Sequence, residues 1–369
     1  MKQKIKVSII FGTRPEIIKL AFVIKKIRES TYVDIVFTGQ HYDYNMSTTF
    51  MKEMNLPDPD YTLNCSHGSH AKQIASLLIA IEEYLKEANP DIVVVQGDTN
   101  TTLAGALAAT KVNIPVAHIE AGCRSFDMKM PEEINRRIVD VISSLLFAPT
   151  QRAVQNLRRE GVGKDKIAMV GSTLGEVCRE YCVNALTKSS ILNKLGLEPK
   201  AYAVLTTHRQ ENVDVKENLE NIVSALPLIK TTVVFPIHPR TAKNLDEFGL
   251  LSTLHRIPNG VLSEPLGYLD FLTLLSQAQI VMTDSGGVQE ESAIFHIPCV
   301  TLLEATPWWE TVEQGANILA GAKSHQIVDT VNRILGDEDL YGQMSRAEVF
   351  PKMNSSDLIV EKIASFGGW

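Results

Sequence analysis

Asp98, Glu120 and Glu132 each stand where a strand-like run or a helix start meets a polar turn. Carboxylates aimed at one rim suit general acid/base chemistry, and crowding their like charges would raise the proton affinity of at least one. Arg14, at the carboxyl edge of the first strand, could clamp an anion, and His208, followed by Arg, Gln, Glu and Asn just past a strand, reads as a site residue. A second kind of chemistry is written in the stretch Thr283-Asp284-Ser285-Gly286-Gly287-Val288-Gln289-Glu290-Glu291. Its glycines let a strand turn tightly into a helix, and the free N–H groups of such a helix start accept an anion such as a diphosphate. Ser285 adds a hydroxyl donor, and Glu290 or Glu291, one turn further in, could accept from ribose hydroxyls. Each feature also has a plain reading. Ser-Gly-Gly makes an ordinary turn, Asp98 suits a helix cap, Glu132 and Arg136 are spaced as an ion pair, and Arg14 could pair with Glu16.

The elements that must position these residues alternate between strand and helix. Lys4 to Phe11 reads as a buried strand ending in Gly12-Thr13-Arg14-Pro15-Glu16, with Pro15 suited to a helix start. Asp91 to Gln96 ends at Gly97-Asp98-Thr99, and Ile114 to Ile119 delivers His118 and Glu120 to the same edge. A further helix starts at Pro131, and the strand Ile167 to Gly171 completes a first doubly wound sheet. The second series begins at Ala201 to Thr207, followed by His208-Arg209-Gln210-Glu211-Asn212, and continues through Val233 to Ile237, Ile280 to Thr283 and Cys299 to Leu302. Two such sheets facing a cleft would unite Arg14, Asp98, Glu120 and Glu132 with His208, Ser285 and Glu291.

The remaining composition narrows the function classes. A chain of 369 residues is long enough for two α/β domains, and 44% hydrophobic with 21% charged residues is an ordinary globular balance. The net charge of -7, without a basic arm, argues against a nucleic-acid binder. No window approaches a membrane span and no leader pattern is read, so a cytoplasmic location is expected. The five cysteines, Cys65, Cys123, Cys178, Cys182 and Cys299, are scattered and read as free thiols. None of the nine histidines shows metal-site spacing, and no dinucleotide fingerprint follows the first strand, so neither metal nor NAD is expected.

The motifs Phe11-Gly12-Thr13-Arg14-Pro15-Glu16, Thr38-Gly39-Gln40-His41, Gln96-Gly97-Asp98-Thr99, His118-Ile119-Glu120-Ala121-Gly122, Pro131-Glu132-Glu133-x-Asn135-Arg136, Thr207-His208-Arg209-x-Glu211-Asn212 and Asp284-Ser285-Gly286-Gly287-x-Gln289-Glu290-Glu291 carry a resemblance. In this order the chain resembles the non-hydrolysing UDP-N-acetylglucosamine 2-epimerases over nearly its full length. The resemblance implies two Rossmann-like domains of the GT-B kind, 1–172 with a returning helix in 352–369, and a UDP-binding domain 173–351. It implies reversible inversion at C2 of UDP-N-acetylglucosamine, by elimination of UDP to a 2-acetamidoglucal and re-addition on the other face, in support of surface polysaccharide or glycan synthesis. It casts Asp98, Glu120 and Glu132 as acid/base carboxylates, with Arg136 and His208 orienting them or steadying the leaving diphosphate. Arg14, Lys19, Ser285, Gly286, Gly287 and Glu291 join His208 in binding UDP-N-acetylglucosamine and UDP. No cofactor is implied. A homodimer is, and a second, regulatory UDP-N-acetylglucosamine would lie near Gln40, His41, Arg209 and His238.

Three departures from the family pattern bear on the sugar: Ser172 in Gly171-Ser172-Thr173, Gln210 after Arg209, and Thr306-Pro307-Trp308-Trp309-Glu310. They keep a UDP-2,3-diacetamido-uronate in view as substrate. A hydrolysing 2-epimerase releasing ManNAc and UDP, a UDP-sugar glycosyltransferase and a non-catalytic nucleotide-sugar sensor are the other readings of the same residues.

Overall fold

The computed structural model describes residues 5–39, 51–63 and 68–366. Gln40, His41 and Cys65 lie outside these. The chain is a two-unit α/β protein of the GT-B type, each unit built on a parallel sheet. The first unit comprises Met1–Val177 and Phe350–Trp369, the second Cys178–Val349.

The first sheet contains β1 (Lys6–Phe11), β2 (Tyr32–Phe37), β3 (Tyr61–Thr62), β4 (Ile92–Gln96), β5 (Val116–Ile119), β6 (Leu145–Ala148) and β7 (Ile167–Met169), in the order β3-β2-β1-β4-β5-β6-β7. Its central strands are continuous apolar runs rather than alternating ones. Val7, Ile9 and Ile10 of β1 and Ile92 to Val95 of β4 are fully buried, as strands covered on both faces must be. The strand order reverses between β1 and β4, which pair in parallel with Val7 opposite Ile92. At such a reversal the turns leaving the two strands diverge and open a crevice for ligands. The helix Ser355–Ala364 closes this unit: Ser355 Oγ donates to the Ser172 carbonyl at 3.1 Å, and Asp357 pairs with Lys26 at 2.8 Å.

The second sheet contains β8 (Tyr202–Thr206), β9 (Thr232–Pro236), β10 (Gly260–Ser263), β11 (Ile280–Thr283), β12 (Cys299–Thr301) and β13 (Asn317–Leu319), ordered β10-β9-β8-β11-β12-β13. Alternate residues of one strand feed opposite cores. Ala203 and Leu205 of β8 pack with Met282 and Val300, whereas Tyr202 and Val204 pack with Val281 and Leu274. The reversal here lies between β8 and β11. Strands β3, β10 and β13 escape the sequence reading; each is short, lies at a sheet edge and lacks a continuous apolar run.

Candidate active site

In the first unit the chemistry gathers at the carboxyl ends of β1, β4 and β5. Glu120 leaves β5 with φ +72°, a left-handed backbone that a residue with a Cβ adopts at a cost, so its carboxylate is aimed by a strained link. Lys19, on the helix Arg14–Ser30, forms a short ion pair with Glu120, and Gln96 Nε2 donates to the same carboxylate at 2.8 Å. Two residues on, Gly122 has φ +82° and packs against the helix Gln151–Arg159; a Cβ there would meet the Ala153 carbonyl oxygen at 2.4 Å. Glycine is therefore required where β5 ends.

Asp98 follows β4, and Arg136 Nη2 lies 2.6 Å from its carboxylate. Arg136 is nearly fully buried on the helix Pro131–Ile142, and its Nη1 reaches Glu133 at 3.0 Å. Asn135 Nδ2 adds a 2.8 Å bond to the Asp98 carbonyl. The acid that Arg136 holds on its own helix is thus Glu133, one residue beyond the Glu132 that spacing favours. Burial pushes the Glu133 carboxyl up, but the Ser125 N–H and the neighbouring Arg136 and Arg137 outweigh it and hold it below the usual carboxylate range. Glu132 and Arg14 are half-buried at the starts of their helices.

Asp98 and Glu120 each hold a cation. The acid that burial lifts is Glu16, pushed to about 7 despite hydrogen bonds from Thr13, Gly12 and Thr99 that lower it. The pairing of Arg14 with Glu16 at the surface also needs correcting, since Glu16 is only 2% exposed. His118 is a further correction. Sequence order delivers it to the rim, yet it is fully buried, with Nδ1 2.7 Å from Asp140 and Nε2 donating to the Gly97 carbonyl at 2.8 Å. It lies within β5, whose four residues are all buried, whereas Glu120 comes after the strand has ended, where the backbone has turned to a positive φ.

In the second unit the turns after β8 and β11 are tied by one side chain. Asp284, fully buried, accepts from Thr207 Oγ at 2.6 Å, from the His208 and Arg209 N–H groups at 3.1 Å, and from Asn212 Nδ2 at 3.0 Å. His208 Nδ1 stands 3.4 Å from the same carboxylate, and its half-exposed ring lies 5.4 Å from that of His238. Ser285 caps the helix Gly286–Ile294, its Oγ accepting from the Val288 N–H at 3.4 Å. Ser285, Gly286 and Gly287 remain partly open to solvent. Glu291 is buried one turn further along and accepts from the Tyr268 hydroxyl at 3.3 Å. Burial and the neighbouring Cys178 and Glu291 push that hydroxyl well above its ordinary range, so it stays a donor.

The arrangement offers anion-binding N–H groups at one helix start and two carboxylate–cation pairs at another sheet edge. Sequence reasoning missed Lys19 as the partner of Glu120, and Asp284 and Glu16 as ties between turns. Of these only Thr13-x-x-Glu16 carries a readable signal, the capping-box spacing. Among the described residues no group of three His, Cys, Asp or Glu side chains could hold a metal ion, and no helix is long and apolar enough to cross a membrane.

Comparison with known proteins gives a consistent result. A family model described as UDP-N-acetylglucosamine 2-epimerase matches residues 25–364. The UDP-N-acetylglucosamine 2-epimerase of Methanocaldococcus jannaschii is 48% identical over 89% of this chain and 92% of its own. The UDP-2,3-diacetamido-2,3-dideoxy-D-glucuronate 2-epimerase of Pseudomonas aeruginosa is 41% identical over 91% and 96%. A crystal structure of the Methanocaldococcus jannaschii UDP-GlcNAc 2-epimerase with UDP-GlcNAc and UDP superposes with a TM-score of 0.91 at 44% identity, covering 98% of this chain and 100% of that one.

Proposed function

The chain belongs to the UDP-N-acetylglucosamine 2-epimerase family, and from that premise we propose that it inverts C2 of UDP-N-acetylglucosamine, giving UDP-N-acetylmannosamine without hydrolysis. The observation that carries the reading is the pair of carboxylates Glu120 and Asp98, each held by a cation at adjoining strand ends. A C2–H beside an anomeric carbon is weakly acidic, so simple deprotonation and return would be slow. Elimination avoids this: a carboxylate takes the C2 proton as the C1–O bond breaks, UDP departs as an anion, and a 2-acetamidoglucal remains. Re-addition of UDP at C1 with proton delivery to the opposite face of C2 completes the inversion.

Glu120, Asp98 and Glu132 are the acid/base candidates. Lys19 would orient Glu120, and Arg136 would do so for Asp98. Arg14 and His208 would steady the departing diphosphate, the Ser285-Gly286-Gly287 helix start would bind it, and Glu291 would take the ribose. The acceptor pattern on Glu291, with Tyr268 already donating to it, suits a carboxylate shared with a hydroxyl-bearing ligand. Arg209 and His238 are proposed to belong to a regulatory site for a second UDP-N-acetylglucosamine, and supply of surface polysaccharide precursors is the proposed role.

Two copies are proposed to associate. The helix Pro131–Ile142 buries Arg136, Val139 and Asp140 on one side and leaves Ile134, Ile138 and Val141 exposed at helical spacing on another, with Val141 70% exposed. A lone exposed apolar residue is ordinary, whereas a stripe of this kind supports an interface.

A second reading, UDP-2,3-diacetamido-uronate as substrate, is favoured by one observation. Trp308 is buried beside the Ser285-Gly286-Gly287 turn, its Nε1 3.5 Å from where a Cβ on Gly286 would lie, so the departing segment Thr306 to Glu310 would border the nucleotide-sugar if that turn binds the phosphate as proposed. The 41% identity to the Pseudomonas enzyme agrees with it. Incubation of the protein with UDP-N-acetylglucosamine in heavy water, followed by NMR, separates the readings. Deuterium at C2 with UDP-N-acetylmannosamine supports the first; free ManNAc selects a hydrolysing enzyme; no exchange, with exchange on the diacetamido-uronate, selects the second.

A further inference from the structure

Glu16 is the third residue of the helix Arg14–Ser30, and its carboxylate does more than close its own helix. Oε2 accepts from the Gly12 N–H at 3.1 Å, the Thr13 N–H at 2.8 Å and Thr13 Oγ at 2.7 Å, which is the capping half. Oε1 turns the other way and accepts from Thr99 Oγ at 3.2 Å, in the turn after β4. Thr102 Oγ lies 3.4 Å from the same oxygen, but its proton goes to the Gln96 carbonyl at 2.7 Å. Thr102 therefore presents a lone pair that a protonated Glu16 could use, and burial that lifts Glu16 to about 7 agrees with a neutral carboxyl. In either state one side chain bonds both turns at the point where strand order reverses.

We propose that Glu16 is a positioning residue, fastening the turn that carries Arg14 to the turn that carries Asp98. Its effect on turnover rests on the epimerase reading; its effect on the turns rests on hydrogen-bond geometry alone. The second unit has a counterpart in unlike sequence. Asp284, after β11, bonds Thr207, His208 and Arg209 after β8, again across the reversal. A plain capping box would leave Thr99 untouched, and that difference is measurable.

The test uses the full chain with Glu16→Ala and Glu16→Gln, read by amide hydrogen exchange and by C2 deuteration of UDP-N-acetylglucosamine. Gln is the isostere of the neutral acid: its carbonyl can accept from Gly12 and Thr13 while its amide donates to Thr99 and Thr102. Glu16→Ala is expected to speed exchange about tenfold at both Gly12–Thr13 and Thr99–Leu103, leaving β6 and β12 unchanged. It is also expected to lower kcat about a hundredfold, the usual cost of a misplacement near 1 Å. Glu16→Gln is expected to restore both. The proposal is overturned if exchange rises only at Gly12–Thr13, if folded Glu16→Ala turns over within about twofold of wild type, a span far below that cost, or if Glu16→Gln is as impaired as Glu16→Ala. Should the wild type itself show no C2 deuteration, the epimerase reading fails and the exchange pattern alone decides the clamp. If Glu16→Ala does not fold, Thr99→Val removes the second arm together with the Thr99 cap on the Thr102 N–H, so only the opposite turn is read; faster exchange at Gly12 and Thr13 is then expected, and unchanged exchange there overturns the clamp.

Discussion

Replacing Arg136 by leucine tests the electrostatic frame of the first unit. Its guanidinium makes two charge-assisted bonds, 2.6 Å to Asp98 and 3.0 Å to Glu133. Such bonds contribute about 1.5–3 kcal/mol each, and the Asp98 arm belongs at the low end because that carboxylate is 26% exposed. Glu133 is fully buried, so its arm belongs at the high end, and Arg137 and Ser125 cannot replace it entirely. The loss should come to about 3–5 kcal/mol, as for other buried pairs stripped of one partner. Arg136→Lys, which can reach one acid but not fork to both, should lose roughly half of that. A chain of two units does not melt as one, so the assay is native-state hydrogen exchange on the β4 amides, which reports the opening of this unit. The pH dependence gives a second check. Glu133 is held below the usual carboxylate range, so its stabilisation is present above that range and is lost as pH falls through its folded value. The gap between wild type and Arg136→Leu should therefore narrow as pH falls below the usual carboxylate range, since protonated acids no longer need the cation. A loss under about 1 kcal/mol at pH 7, or a gap that widens in acid, would refute the reasoning.

Other expectations follow from the same geometry. Glu120→Gln should abolish C2 deuteration while UDP affinity, measured calorimetrically, stays within about threefold, because a proposed base is lost and the proposed phosphate turn is left intact. Glu16 behaves oppositely to Glu133: its folded value is raised to about 7, so its ionisation opposes folding as pH rises from the ordinary carboxylate range to about 7. Glu16→Gln should accordingly gain on wild type between pH 4 and pH 8, by an upper bound of about 3 kcal/mol, and a flat difference across that range contradicts the burial argument. Asp284→Ala strips five contacts from a fully buried acid's neighbours and should cost the second unit about 3 kcal/mol or more by hydrogen exchange at β8. Ile138→Asp should shift the protein to the monomer in light scattering if the exposed stripe is the interface, and an unchanged mass places the interface elsewhere.

The two sheets were legible because their central strands are largely apolar runs bounded by Gly, Asp or His. That pattern is a direct print of burial on both faces. The edge strand β13, of Asn317, Ile318 and Leu319, prints nothing comparable, for an edge strand of this length needs only one covered face. The site divides in the same way. Asp98, Asp284 and Ser285 were visible as polar residues closing apolar runs, a one-dimensional signal. The inward turn of His118 toward Asp140, and the reach of Glu16 to Thr99, join residues 22 and 83 positions apart and leave no local trace. Nor could spacing choose between Glu132 and Glu133 for Arg136, since i,i+3 and i,i+4 both lie on one helix face.

The return of residues 350–366 to the first unit has a consequence for synthesis. A nascent chain that has reached Val349 holds the whole second unit, whereas the first still lacks the helix Ser355–Ala364. Until that helix arrives, the sites for Ile359 and Ile363, both fully buried in the finished protein, stand open beside the helix Arg14–Ser30, and Glu176 and Lys26 face water in place of Ser356 and Asp357. The usual order of emergence is thereby inverted at the last step. The segment translated first waits longest for its final layer, and released chains truncated after Val349 should present that open strip to chaperones while the second unit is complete.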